Sequence, residues 1–370
     1  MAKYIYQYNS WPNFEWDEQA IQAILGKIRY LQGKLLGRMS AFGFSVKTET
    51  LLSTLTMDIL KSSEIEGEKL NYEQVRSSIA RKLGLDDQDM IYPSKDVEGV
   101  VEMMLDATQN YAQKLDEDRL FAWHAALFPT GRSGLQKIET ACYRTGEMQI
   151  VSGAMGRERV HYHAPPPEQV KREMDTFLTW LHEENQLDEV VKSAIAHFWF
   201  IIIHPFDDGN GRIARAISDL LLARSENNTF RCYSLSNQML LERKAYYNKL
   251  QEVQYSEGDI TEWILWFLNC LHRALQATEV TIKKVIRKAG FWERHQTTAL
   301  NNRQRLILNK LLDGFVGKLK TSKWAKITKS SQDTALRDIK DLIEKGILQQ
   351  EAAGGRSTNY ELVDWETGTV

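Results

Sequence analysis

Several things are scarce in this chain, and each scarcity excludes a class. No run approaches the ~20 consecutive apolar residues of a membrane span, and the first twenty residues lack the basic start and continuous apolar stretch of a secretory leader. A membrane protein is thereby disfavoured and a cytoplasmic one predicted. Cysteine is equally sparse. Cys142, Cys232 and Cys270 are three, widely spaced, and in no metal-like or redox-like pairing, which fits free thiols in a reducing compartment. Excess charge of one sign is missing too: 47 Lys and Arg stand against 49 Asp and Glu, a formal net charge of −2. Such a balance excludes a chain that coats nucleic acid or anionic membrane over its whole surface. There is no internal repeat and no low-complexity segment.

What is present is a globular composition. With 370 residues, 43% of them hydrophobic, the chain can bury a sizeable core, and its length allows two or three domains. Apolar residues recur every three and four positions from Glu18 to Met39 and again over 48–70, the latter ending near Gly67, so helices are expected there. Residues 143–167 differ. Gly146, Gly153 and Gly156 separate two short β-prone runs ahead of a proline triplet, a pattern that predicts a hairpin over 145–163. Helical patterns resume to about residue 288. From about 300 three short helical segments precede a glycine-turned hairpin, the order of a winged helix, and residues 300–361 carry 12 Lys and Arg against 7 Asp and Glu.

The densest chemistry lies in "IIIHPFDDGNGRIARAISD", residues 201–219. An apolar helix should bring His204 against packed structure, and Pro205 should force the chain out of helix. Gly209, Asn210 and Gly211 permit a backbone that aims successive N–H groups at one point, and the next helix begins there. A loop of this kind at a helix N-terminus is an anion site. Arg212 and Arg215, three apart, share a helix face from which both reach a polyphosphate, and Asp208 is placed to hold Mg²⁺ on the same phosphates. Singly, each feature reads as a core histidine or a turn. Together they supply a base, a metal ligand and a phosphate cradle.

The run from His204 to Arg215 resembles the signature of the Fic family, His-x-Phe-x-(Asp/Glu)-Gly-Asn-Gly-Arg-x-x-Arg, at every defined position. The resemblance implies a mainly α fold, a Fic-type helical bundle with a β-hairpin flap, here followed by a small winged-helix-like domain. It implies transfer of AMP from ATP to a hydroxyl side chain of a target protein. His204 would be the base, Asp208 the Mg²⁺ ligand, Gly209 to Gly211 the phosphate cradle, and Arg212 and Arg215 the ligands of the β- and γ-phosphates, with Phe206 anchoring the loop. "SSEIEG" is similar to the family's inhibitory pattern (Ser/Thr)-x-x-x-Glu-(Gly/Asn), with Ser62, Glu66 and Gly67 in place; Glu66 would pair with Arg215 and fill the space of the γ-phosphate. The 145–163 hairpin resembles the flap that binds the target as an added strand, which puts Val151, Ser152 and Gly153 nearest the nucleotide. "KAYYNKLQEVQ" resembles the adenine-pocket segment, with Tyr246 and Tyr247 enclosing the base and Gln254 where relatives often have asparagine.

The domains expected are an accessory region over 1–45, a Fic core over 46–290 with the inhibitory helix near 50–67, and a winged-helix-like domain over 300–370. Two rival functions remain. The same motif serves removal of AMP, or transfer of another phosphate-containing group. A winged helix serves a DNA-binding regulator, a reading weakened because "SSQDTALRDIKDL" is nearly charge-balanced whereas groove and phosphate contacts need cations. Partner binding or homodimer contacts are at least as good a use for that tail.

Overall fold

A computed structural model describes residues 3–40, 42–85, 92–152, 159–183, 187–312, 315, 317–351 and 358–364. Two compact units divide the chain, Met1–Thr278 and Glu279–Val370. Both are mainly helical, as the sequence predicts, and none of the described helices is long and apolar enough to cross a membrane.

The first unit opens with an aromatic segment around a short 3-10 turn, Ile5–Gln7, followed by α1 (Glu18–Ser40), α2 (Phe44–Ile65), α3 (Tyr72–Lys82), α4 (Lys95–Gln109) and α5 (Glu117–Leu127). Four side-chain caps explain where several of these and later helices begin: Asn71, Ser94, Asp116 and Asp188 each accept a backbone N–H from the first turn that no intrahelical carbonyl could take. Two hairpins follow. The first, β1 (Arg132–Ser133) with β2 (Gln136–Lys137), was not anticipated, although glycines at 131 and 134, both at positive φ, mark it. The second pairs β3 (Gln149–Ser152) with β4 (Arg159–His163) where the flap was expected. Its register shifts between Ile150 and Val151, which leaves His161 as the extra residue of a bulge.

After α6 (Pro167–His182) comes the pair on which the unit is built, α7 (Glu189–Ile203) and α8 (Asn210–Glu226). Every residue of α7 from Val190 to Ile203 is buried, and so is α8 from Arg212 to Ala223. Helices buried on all sides belong at the centre of a bundle. The loop joining them, residues 204–209, is therefore held at both ends by the most rigid part of the core. Helices α9 (Leu235–Leu241), α10 (Arg243–Val253) and α11 (Thr261–Arg294) complete the unit, α11 running past its boundary.

The second unit has its own core around Phe291, Ile307, Trp324, Ile339 and Ile347. Its elements are α12 (Asn302–Leu312), α13 (Thr321–Thr328), α14 (Gln332–Glu344), β5 (Leu348–Gln350) and β6 (Tyr360–Leu362), with a bridge from Leu319 to Tyr360 beside the hairpin.

Candidate functional site

His204 caps α7 in the left-handed conformation, φ 50° and ψ 60°, with its N–H on the Phe200 carbonyl at 3.0 Å. That conformation costs a non-glycine residue roughly 1 kcal/mol, and Arg144 offsets it. The buried Arg144 guanidinium donates to the carbonyls of His204 (2.8 Å), Gly146 (2.9 Å) and Pro165 (2.6 Å), while its own N–H meets the Pro205 carbonyl at 2.9 Å. Nδ1 of His204 lies 3.3 Å from the Ile201 carbonyl, a contact that requires the Nδ1–H tautomer and leaves the Nε2 lone pair uncommitted. Enclosure in packed structure pushes this imidazole down to about 4, so it is neutral at pH 7. A fixed, neutral imidazole with one uncommitted nitrogen is equipped as a base.

The loop itself is knitted from inside. Phe206 is fully buried and stacks on His124 at 4.2 Å between ring centroids, which makes it the anchor expected of it. The Asn210 side chain accepts from the Phe206 N–H at 3.0 Å and donates to the Phe206 carbonyl at 2.8 Å, so it locks the loop to the start of α8, leaving the cradle to the backbone. Gly209 has φ 82°, and a Cβ there would lie 2.9 Å from the Phe128 ring. Burial pushes His124 down to about 4 as well; its Nδ1 accepts from Ala141 N–H at 3.3 Å and its Nε2 faces the Asp208 carbonyl at 3.2 Å. Asp207 accepts from the Glu139 N–H at 3.1 Å, and Ser133 of β1 donates to the Asp208 carboxylate. Of these partners, Ser133, His124 and Arg144 carry no local sequence signal.

Two arginines and two glutamates meet where α8 begins. Arg215 is 1% exposed; its Nη2 donates to Glu66 Oε1 at 2.7 Å and to the Ser62 carbonyl at 2.9 Å, and its Nε to Ser62 Oγ at 2.8 Å. Glu66 is the C-cap of α2, and Gly67 behind it has φ 88°. A Cβ on Gly211 would lie 2.0 Å from Glu66 Oε1, so the carboxylate rests directly on the first turn of α8. This close approach is what requires glycine at 211. Arg212, 3% exposed and 5.0 Å over the Phe128 ring, donates from Nη1 to Glu68 Oε2 at 2.6 Å. Glu68 was not singled out by sequence, although it stands two residues beyond Glu66; burial raises its pKa, against the lowering effect of Arg212. Its N–H on the Ser63 carbonyl at 3.0 Å closes the turn that presents both carboxylates.

A cavity of about 670 Å³ opens beside this cluster, lined by Glu66, Val151, His204, Gly211, Tyr246, Tyr247 and Gln254 among others. Ser152, Asp208, Arg212 and Arg215 are not among its lining residues, and Gly153 lies outside the described residues. Tyr246 is buried and held by a polar chain: Ser218 Oγ donates to the Ala214 carbonyl at 3.0 Å, His197 Nδ1 lies 2.9 Å from that hydroxyl, and His197 Nε2 lies 2.9 Å from the Tyr246 hydroxyl. Tyr247 is 40% exposed on the wall. Gln254 departs from a simple base contact, since its amide donates to the His161 carbonyl at 2.9 Å and so ties down the flap bulge.

Polyphosphate and Mg²⁺ fit this donor set. Arg212 Nε and Arg215 Nη1 are buried without a hydrogen-bond partner, and the first amides of α8 have no intrahelical acceptor. Among the described residues no group of three or more His, Cys, Asp or Glu could hold a metal alone. A lone Asp208 suits Mg²⁺, which takes one or two protein carboxylates and the rest from substrate phosphates and water.

Parts of this chain resemble known proteins. Residues 114–222 match the model of the Fic/DOC family, and residues 4–85 match a domain of unknown function, DUF4172. A probable protein adenylyltransferase of Aquifex aeolicus is 34% identical over 118 residues, 32% of this chain and 32% of the relative. A protein adenylyltransferase Fic of Nematostella vectensis is 24% identical over 59% of this chain and 47% of its own length. The matches thus span less than half of these curated relatives. In fold, a crystal structure of a Fic family protein from Desulfovibrio desulfuricans superposes with a TM-score of 0.57 at 21% identity, over 94% of this chain and 97% of that one.

Proposed function

We propose that this chain, a Fic/DOC family protein, transfers AMP from ATP to a hydroxyl side chain of a target protein and is held back by Glu66. The observation that carries the reading is the convergence on one cavity of a neutral His204, the first turn of α8 and the Tyr246–Tyr247 wall. In the reaction the target hydroxyl oxygen forms a bond to the α-phosphorus and the bond from that phosphorus to the β-bridging oxygen breaks. The hydroxyl proton goes to His204 Nε2, and pyrophosphate leaves. Mg²⁺, held by Asp208, would neutralise phosphate charge. The α8 amides, Arg212 and Arg215 bind the anionic chain, and Tyr246 and Tyr247 enclose the base, with Val151 and the flap edge beside the target.

Glu66 stands in the way of this arrangement. Its carboxylate rests on Gly211 and occupies Arg215, the very donors a terminal phosphate needs. The test is transfer of label from α-labelled ATP with Mg²⁺ to protein, in wild type and in His204→Ala. Transfer that survives in His204→Ala overturns the assignment of the base; label released from premodified protein but never added indicates removal of AMP.

A further inference from the structure

The second unit answers the objection that the sequence raised against its use as a nucleic-acid reader. Read as a string, residues 330–342 carry Asp333, Asp338 and Asp341 against Arg337 and Lys340, and look nearly balanced. Folding buries one of those acids and pairs a second at the surface. Asp338 is 6% exposed and takes a two-pronged contact from Arg303, Nε at 2.7 Å and Nη2 at 2.9 Å, with Asn301 Nδ2 adding a third at 2.9 Å. Asp341 accepts from Gln304 Nε2 and from Lys345 Nζ, each at 2.6 Å.

Between residues 326 and 340 the exposed charge is mostly basic. Lys326 on α13, Lys329 at its left-handed C-cap, and Arg337 and Lys340 on α14 are exposed, and none of them joins an ion pair among the described residues. Asp333 is the one exposed acid in the first two turns of α14, and Glu344 lies at the far end. Only Lys329, Ser330 and the capping Ser331 separate α13 from α14, so the four cations lie within fifteen residues of helix, short turn and helix. Gln332, Asp333, Leu336 and Arg337 are the exposed residues at the start of α14.

We propose that this helix-turn-helix face binds double-stranded DNA, with the first turns of α14 facing the major groove and Lys326 and Lys329 on the phosphate backbone. The groove, about 12 Å wide, admits an α-helix, and unpaired cations flanking an exposed polar helix start supply phosphate contacts and base-edge donors. The full chain has a net charge of −2, so any affinity for a polyanion must come from a local patch such as this one.

The experiment uses the full chain and a labelled random-sequence duplex of about two helical turns (~20 base pairs), followed by anisotropy. Binding should have a dissociation constant of roughly 10⁻⁶–10⁻⁴ M at about 150 mM salt and be markedly tighter at about 50 mM. Lys326→Glu/Arg337→Glu/Lys340→Glu should lose at least about tenfold and flatten the plot of log affinity against log salt by about three. Arg337→Gln alone should flatten it by about one, with unchanged thermal unfolding. Lys27→Glu/Lys95→Glu/Lys114→Glu, the same charge change on exposed sites of the first unit, should bind like wild type. Absence of binding at low salt, an equal loss in the control variant, or tighter binding to double-stranded RNA, whose major groove is too narrow for a helix, would each overturn the proposal.

Discussion

Replacing Glu66 by glycine should raise AMP transfer, and the structure sets the size of the effect. The carboxylate makes one charge-assisted hydrogen bond to a buried guanidinium, 2.7 Å from Arg215 Nη2. Bonds of this kind are worth about 1.5–3 kcal/mol. A phosphate that needs Arg215 must first displace that bond, so removing it should raise the competent fraction about 10- to 100-fold, at about 1.4 kcal/mol per decade. Glu66→Gln keeps the bulk over Gly211 and a neutral acceptor while losing the charge, and should rise less. Arg215 would keep its two bonds to Ser62 but lose its counter-charge. The Glu66→Gly protein should therefore melt lower without nucleotide, and ATP should raise its melting temperature more than that of wild type. Labelling of the protein by α-labelled ATP, with Glu66→Gly/His204→Ala as the blank, gives the readout. Equal labelling of wild type and Glu66→Gly refutes the inhibitory role.

Three further outcomes are expected. Asp208→Ala and excess chelator should each suppress transfer, read in the same labelling assay; full activity in EDTA removes the metal from the mechanism. Glu68→Gln should also activate, by less than Glu66→Gly because Glu68 is 43% exposed and its pair with Arg212 is weakened by solvent; a fall in labelling would mean that Glu68 positions Arg212 productively. His124 is neutral when folded and has an ordinary pKa when unfolded, so its stabilisation is complete above about 6.5 and is lost as pH falls towards about 4. His124→Gln, which keeps a donor and an acceptor, should lessen the fall in unfolding free energy between pH 7 and pH 5 by roughly 2 kcal/mol; an unchanged slope in urea titrations defeats that assignment.

Much of the fold was legible because it rests on periodicity. The apolar runs that predicted helices over 18–39 and through Ile203 are the same runs that bury α1 and α7, and Gly67 marked the end of α2 because only a residue tolerant of positive φ continues past that cap. The β1–β2 hairpin was overlooked because two-residue strands have no period to detect. A net count of charge along α14 likewise takes no account of direction, and Asp338 points inward.

The site divides along the same line. Residues 204–215 could be read because one loop and one helix turn carry them, so spacing alone fixes their relation. Arg144, His124 and Ser133 could not, since each comes from a separate element and acts through a backbone carbonyl or a single oxygen. Glu68 lies between these cases. Once α2 is known to end in a cap that reverses the chain at Gly67, the residues on either side of the glycine must leave the helix together, and the i+2 spacing puts two carboxylates against two arginines three apart on α8. Gly211, which admits no Cβ beneath Glu66, belongs to the same arrangement: the first turn of α8 is shaped to receive that carboxylate as closely as it would receive a phosphate oxygen.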